Sequence, residues 1–173
     1  MTVPAFAISR LRSHTAPAHD AVDAAFGAHD LSAPDSYRAF LLAHALALPA
    51  AEAVFAAHAD LPPWRERTTL LAADLADLGR AMPAPLAFDL PALPGAAWGA
   101  LYVTEGSRLG GIMLARGVPA TLPSRYLGAR HRSGEWRTLL AAIDTAGESG
   151  GDAWVAGAIA GADACFALYG RAA

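Results

Sequence analysis

The sequence predicts an all-α fold from three observations: helix-favouring residues dominate, strand patterning is missing, and prolines and glycines cut the chain at helix-length intervals. Alanine, leucine and arginine are abundant, while the β-branched and aromatic residues that suit strands are sparse. No stretch alternates apolar and polar residues as a half-buried strand does. With 173 residues the chain is the size of one domain, read here as a single unit over 1–173. A chain of this length buries roughly two-thirds of its unfolded surface and needs no disulfide or structural metal.

About six or seven helical pieces follow from the punctuation. The first runs from about Ser9 to Ala28, with Leu11, Val22 and Phe26 on one stripe. The second begins near Asp35, capped by Ser32 or Asp35, and extends towards Leu48, where Pro49 interrupts it. Ala50 to Ala59 reads as a kinked continuation or a short separate helix. Pro62 and Pro63 open a helix over Trp64 to Arg80, because proline fits a first turn whose amide hydrogens are unpaired anyway. Its core stripe is Leu70, Leu71, Leu75 and Leu78. Met82 to Pro94, with Pro83, Pro85, Pro91 and Pro94, reads as an extended connection. A glycine-bearing helix occupies Gly95 to about Arg116, and Pro119 and Pro123 break the chain again. Trp136 to Thr145 and Ala153 to Arg171 form the last two helices, separated by a turn at Gly147 to Gly151.

Charge and cysteine usage narrow the function classes. The net charge of −3 offers no global basic footprint for nucleic acid. All 13 cationic residues are arginine, which excludes Schiff-base lysine chemistry and a Walker-type phosphate lysine. The single cysteine, Cys165, lies in an apolar stretch and reads as a small buried hydrophobe. One thiol excludes a thiolate metal cluster and fits a reducing compartment. Apolar runs are interrupted well before the ~18 residues of a membrane span. Met1 to Arg12 lacks a signal-peptide pattern. The expectation is a cytoplasmic protein with no membrane and no nucleic-acid partner.

Two segments carry the chemistry. In the first, His19, Val22, Asp23 and Phe26 share one helix face at i, i+3, i+4 and i+7. The imidazole points into apolar surroundings, and Asp23, one turn on, accepts the hydrogen of one ring nitrogen, as metal-binding histidines generally require. Arg12, two turns earlier on that face, is placed to pair with an anionic group. A hydrogen-bonded core histidine is the plainer alternative.

The second segment is Trp98-Gly99-Ala100-Leu101-Tyr102-Val103-Thr104-Glu105-Gly106-Ser107-Arg108-Leu109-Gly110-Gly111-Ile112-Met113-Leu114. A helix-interior glycine costs about 0.8–1 kcal/mol relative to alanine, so Gly106, Gly110 and Gly111 together cost roughly 2–3 kcal/mol. Close approach to the backbone must compensate: by another helix, by a phosphate, or by a flat ligand lying across the helix. No preceding strand and no Gly-Lys-Ser/Thr support the phosphate.

The Leu11-Arg12-x-x-Thr15-x-x-x-His19 segment resembles the proximal helix of haem oxygenases. Leu101-Tyr102-Val103-x-Glu105-Gly106-Ser107-x-Leu109-Gly110-Gly111 looks like their glycine-bearing distal helix, in the version of bacterial enzymes that supply biliverdin to phytochromes. Leu70-Leu71-x-x-Asp74-Leu75-x-x-Leu78-Gly79 is similar to the helix between them.

The resemblance implies a mostly helical bundle with haem, both substrate and cofactor, sandwiched between the first helix and a kinked glycine helix. It places His19 as the axial ligand to iron, Arg12 near a propionate and Asp23 beside the ligand histidine. Gly106, Ser107, Gly110 and Gly111 line the oxygen side, with Gly106, Ser107 and Gly110 carrying the catalytic role. The implied partners are haem, dioxygen and an electron donor such as a ferredoxin or flavin reductase. The implied products are biliverdin, carbon monoxide and ferrous iron.

Some members carry aspartate where this chain has Ser107, which leaves Glu105 and Arg108 as nearby polar groups. Pro17 allows an alternative helix start near Thr15, with Thr15 as cap, and His14 becomes a ligand only if the register shifts. The other histidines, His29, His44, His58 and His131, read as surface or core residues, and Asp74 and Asp77 as a solvated face. The alternative functions are a haem-binding or trafficking protein, a non-catalytic member of the same fold, and a helical enzyme for another small molecule such as the thiamin-degrading group.

Overall fold

The computed structural model describes residues 7–173, so the sequence reading of Met1 to Phe6 falls outside the described residues. Five helices follow one another: α1 (Ala7–Phe26), α2 (Pro34–Ala56), α3 (Thr68–Asp77), α4 (Ala96–Ala115) and α5 (Glu135–Ala172), with no strand among the described residues. The long α5 is the spine. Helices α1 and α4 both pack along it and make little contact with each other, while α2 touches α3, α4 and α5.

Three boundaries differ from the sequence expectation, each for a long-range reason. α2 runs straight through Pro49, so the separate piece at 50–59 is absent. An interior proline costs about 3 kcal/mol in an isolated helix. Here Ala47, Leu48 and Ala51 are fully buried, and the Leu46 carbonyl beside the break accepts the Leu86 amide at 2.8 Å. The third helix starts at Thr68, not at Trp64, because Glu52 of α2 supplies its cap. The Glu52 carboxylate accepts the amides of Arg67 (2.7 Å) and Thr68 (3.1 Å) and the Thr68 hydroxyl (2.5 Å). A carboxylate at that end also complements the helix dipole. Residues 62–67 are non-helical.

The last two expected helices are joined as α5, broken only at Gly151, where φ is 67° and ψ −165°. A left-handed φ of this kind is open to glycine and strained for other residues. The start of α1 is held on both sides of that break. The Ile8 amide donates to Asp144 at 3.0 Å, and Arg10 pairs with Asp152 at 2.6 Å.

The core draws Leu11 and Phe26 from α1, Phe40, Leu41, Leu48 and Phe55 from α2, and Leu71 and Leu75 from α3. Leu101 comes from α4, and Ile143, Val155 and Leu168 from α5. By length and composition alone, α2 and α5 are apolar enough to cross a membrane, contrary to the expectation of interrupted runs. The apolar windows are 56% and 50% buried within the chain, as core helices are.

Glycine on the α4–α5 seam sets how near the helices come. A Cβ at Gly99 would lie 1.7 Å from the Ala158 carbonyl oxygen, and one at Gly161 1.9 Å from that of Ala96. Side chains there would push the helices apart.

Candidate functional site

α1 is helical from Ala7 onward, with Pro17 inside it, so the alternative start at Thr15 is not adopted and Arg12 lies on the helix. Thr15 is buried, its hydroxyl donating to the Leu11 carbonyl at 2.8 Å. The helix is anchored by Ala7, Ile8, Leu11 and Thr15 at one end and Phe26 at the other, and its middle is open. His19 sits in that opening with its side chain 58% exposed. Its Nδ1 faces the Asp23 carboxylate at 3.4 Å and Asp20 at 3.8 Å. The two side chains expected on one face are therefore neighbours but make no hydrogen bond, and the ring is far less enclosed than the apolar setting read from Val22 and Phe26. Arg12 is exposed and takes part in no ion pair among the described residues. His14 is committed elsewhere, 2.9 Å from Asp163 of α5.

The opposite wall is α4, and its three glycines do different things. Gly111 is buried, and a Cβ there would press on the Leu127 carbonyl at 3.1 Å; one at Gly106 would meet the Trp136 ring at 3.4 Å. Gly110 faces open space, with nothing within 4 Å of a Cβ. Close packing thus accounts for Gly111 and in part for Gly106, and an uncovered stretch of backbone is left at Gly110, near exposed Ser107. The kink expected in this helix is not a break in it: α4 is continuous and contains no positive-φ residue.

Between the walls lies α5. Phe166 meets the His19 ring edge-on at 6.0 Å between centroids, and its neighbour Cys165 lies 3.5 Å from the Thr104 hydroxyl of α4. Adjacent residues of one helix therefore touch both walls. Burial pushes the Cys165 thiol up to about 12, so it is a packing group and no nucleophile.

Behind α4 is a buried polar layer that the sequence reading did not find. Glu105 and Arg108, considered as groups beside a ligand, are 4% and 1% exposed and turn inward onto each other at 2.8 Å. The His131 side chain packs against them, only 8% exposed, its Nε2 donating to the Glu105 carbonyl at 3.0 Å. Glu135 is gripped by Arg65 through bonds of 2.9 and 2.8 Å, and those bonds hold its carboxyl down at about 2. Arg67 is 2% exposed and donates to the Thr104 carbonyl (2.6 Å) and the Ser107 hydroxyl (2.9 Å).

Asp74 is no solvated residue: it is fully buried and accepts the amides of Arg125 (3.2 Å) and Tyr126 (2.9 Å). His44 is caged by Phe26, Phe40, Tyr126 and Tyr169, and burial lowers it to about 4, which keeps it neutral. Partners tens of residues apart leave no local signal. The helix seam does leave one, in the four-residue spacing of Gly157 and Gly161.

Two helices that share a spine but stand apart, one bearing a histidine and the other a bare glycine, define an all-helical fold of the haem oxygenase class. The chain is similar over 97% of its length, and 90% of the other's, to the NO- and CO-bound haem oxygenase from Neisseria meningitidis, with a TM-score of 0.77 and 26% identity. No protein-family model and no curated protein matches the sequence. The chain has the haem oxygenase fold, in line with the family resemblance carried by its sequence.

Proposed function

We propose that the chain is a haem oxygenase, cleaving the macrocycle with dioxygen and external electrons to biliverdin, carbon monoxide and ferrous iron. The observation that carries this reading is the fold shared with a haem oxygenase, in which α1 bears a half-exposed histidine beside a carboxylate and α4 an unobstructed glycine, both helices packing on α5.

The residues present fit haem. The Asp23 carboxylate lies 3.4 Å from the His19 Nδ1, placed to take that hydrogen when the ring turns to a ligand, which would leave the Nε2 lone pair for iron. Haem, when bound, supplies both the redox iron and the carbon framework that is cleaved. Gly110 and Ser107 let a flat ligand approach the backbone of α4. No carboxylic acid faces that approach from Glu105, which is turned away and paired. Such a wall favours positioning over acid-driven oxygen–oxygen cleavage. A neutral histidine also donates less electron density than a thiolate. Arg12, in no ion pair among the described residues, is available to a propionate.

The buried thiol accords with a cytoplasmic, reducing setting, and a ferredoxin or flavin reductase is the class of donor required. The Gly106-Ser107 pair supports the phytochrome-associated, biliverdin-supplying type.

The test is a haem titration of the purified protein beside His19→Ala, followed by ascorbate. A Soret band that saturates near one haem per chain, shifts in the variant and bleaches to biliverdin is expected. Saturable binding that survives a competent donor would show a carrier instead, and no saturable binding would overturn the reading.

A further inference from the structure

The two buried arginines behind α4 differ in one respect. Arg108 has a carboxylate, Glu105, at 2.8 Å. Arg67 has none: among the described residues its guanidinium makes no ion pair, and Glu52 bonds the Arg67 backbone amide instead. Its Nε is buried without a hydrogen-bond partner, and its guanidinium carbon lies 5.4 Å from the centroid of the Tyr126 ring. A buried cation held by one carbonyl, one hydroxyl and an aromatic face, with no carboxylate bonded to it directly, is costly to keep.

Ser107 connects this charge to the open side of α4. Its oxygen accepts from Arg67 at 2.9 Å while its hydrogen is donated to the Thr104 carbonyl at 2.7 Å. Rotating the hydroxyl away from Thr104 turns that hydrogen outward while Arg67 goes on donating to the same oxygen. A hydroxyl polarised from behind by a guanidinium is a stronger donor than a free serine. The arrangement is suited to negative charge arriving on the Ser107–Gly110 face and gives a neutral ligand little advantage.

We propose that Arg67 is a positioning residue that acts through Ser107 to favour anionic over neutral ligands on the open face of α4. The inference rests on the haem oxygenase reading. The probes are azide with the ferric haem complex and carbon monoxide with the ferrous complex, measured in wild type, Arg67→Met and Arg67→Lys, together with the melting temperature of each haem-free protein. Arg67→Met should weaken azide about tenfold, the worth of one charge-assisted hydrogen bond, while carbon monoxide changes by less than about twofold. Arg67→Lys should recover part of the azide affinity. It also keeps the comparison available if methionine disturbs the fold.

The haem-free Arg67→Met protein should melt at or above wild type, because an unpaired buried charge has been replaced by an apolar chain. A lower melting temperature with an unchanged azide-to-carbon-monoxide ratio would make Arg67 a structural strut and overturn the inference alone. Failure of the wild type to bind haem would overturn the functional reading and this inference with it.

Discussion

The two walls flanking α5 are built on opposite plans. α1 is fastened at its ends and presents a titratable side chain from an exposed middle. α4 is fastened along its length, against α5 at Gly99 and against Leu127 at Gly111, and presents almost no side chain at Gly110. Polar groups follow the same division. Those of α1, such as Arg10–Asp152 and His14–Asp163, stand in solvent, whereas Glu105, Arg108 and Arg67 are sealed behind α4. A wall that offers a ligand atom needs one well-oriented side chain. On the proposed reading, a wall that offers space needs a backbone held rigidly from behind, and the Glu105–Arg108 pair is placed to do that.

The contrast can be broken most sharply by the same substitution on two sides of α4. Gly99→Ala drives a methyl into the Ala158 carbonyl and should destabilise the haem-free protein by about 3 kcal/mol or more, seen as a lowered denaturant midpoint. An unchanged midpoint would mean the seam yields easily.

Acid should distinguish the walls next. The Glu135 carboxyl is held at about 2 against an ordinary 4.5, so its contribution is complete above the ordinary value and disappears as pH falls through about 2. Relative to Glu135→Gln, the wild type should keep its extra thermal stability above about pH 5 and lose it progressively towards pH 2. A pH-independent difference would place the value of Glu135 in packing.

Gly110→Ala should act in opposite senses on the two states. Nothing obstructs its methyl, so the haem-free helix gains up to about 1 kcal/mol, while haem affinity or turnover falls. Improved stability with untouched haem binding would remove Gly110 from the site. The smallest effect belongs to α1. Arg12→Ala should leave the melting temperature within about 1 °C and weaken haem only a few-fold, as expected for a solvent-screened pair. Haem with esterified propionates should show no difference between Arg12→Ala and wild type.

The helical class was legible because it depends on composition and spacing, and α4 falls within a residue or so of the glycine helix read from sequence. His19 with Asp23 was legible because both lie on one helix face, so their separation follows from the turn of the helix. What stayed hidden was made by contacts between distant parts of the chain. Nothing near Trp64 reveals that Glu52 will cap the third helix at Thr68, and nothing near Pro49 reveals that tight packing will carry α2 through it. Asp74 looked solvated because it lies among charged neighbours; its burial is set by the 124–126 loop folding over it. The glycines were half legible: their cost pointed to close approach, but the most crowded positions are Gly99 and Gly161, which serve the seam, and the open one is Gly110.

The grip of α5 on the first turn of α1 gives α1 the form of a lever. Asp144 and Asp152 hold Ile8 and Arg10 from opposite sides of the Gly151 break, so a change in the bend of α5 is felt first at the base of α1. His19 lies eleven residues further along, about 16 Å at the helical rise. A tilt of only about 4° at that base would carry the imidazole through roughly 1 Å, a displacement large enough to matter for a bond to iron. On the proposed reading, a single glycine more than 130 positions away in sequence is thereby placed to influence the height at which the histidine would meet haem.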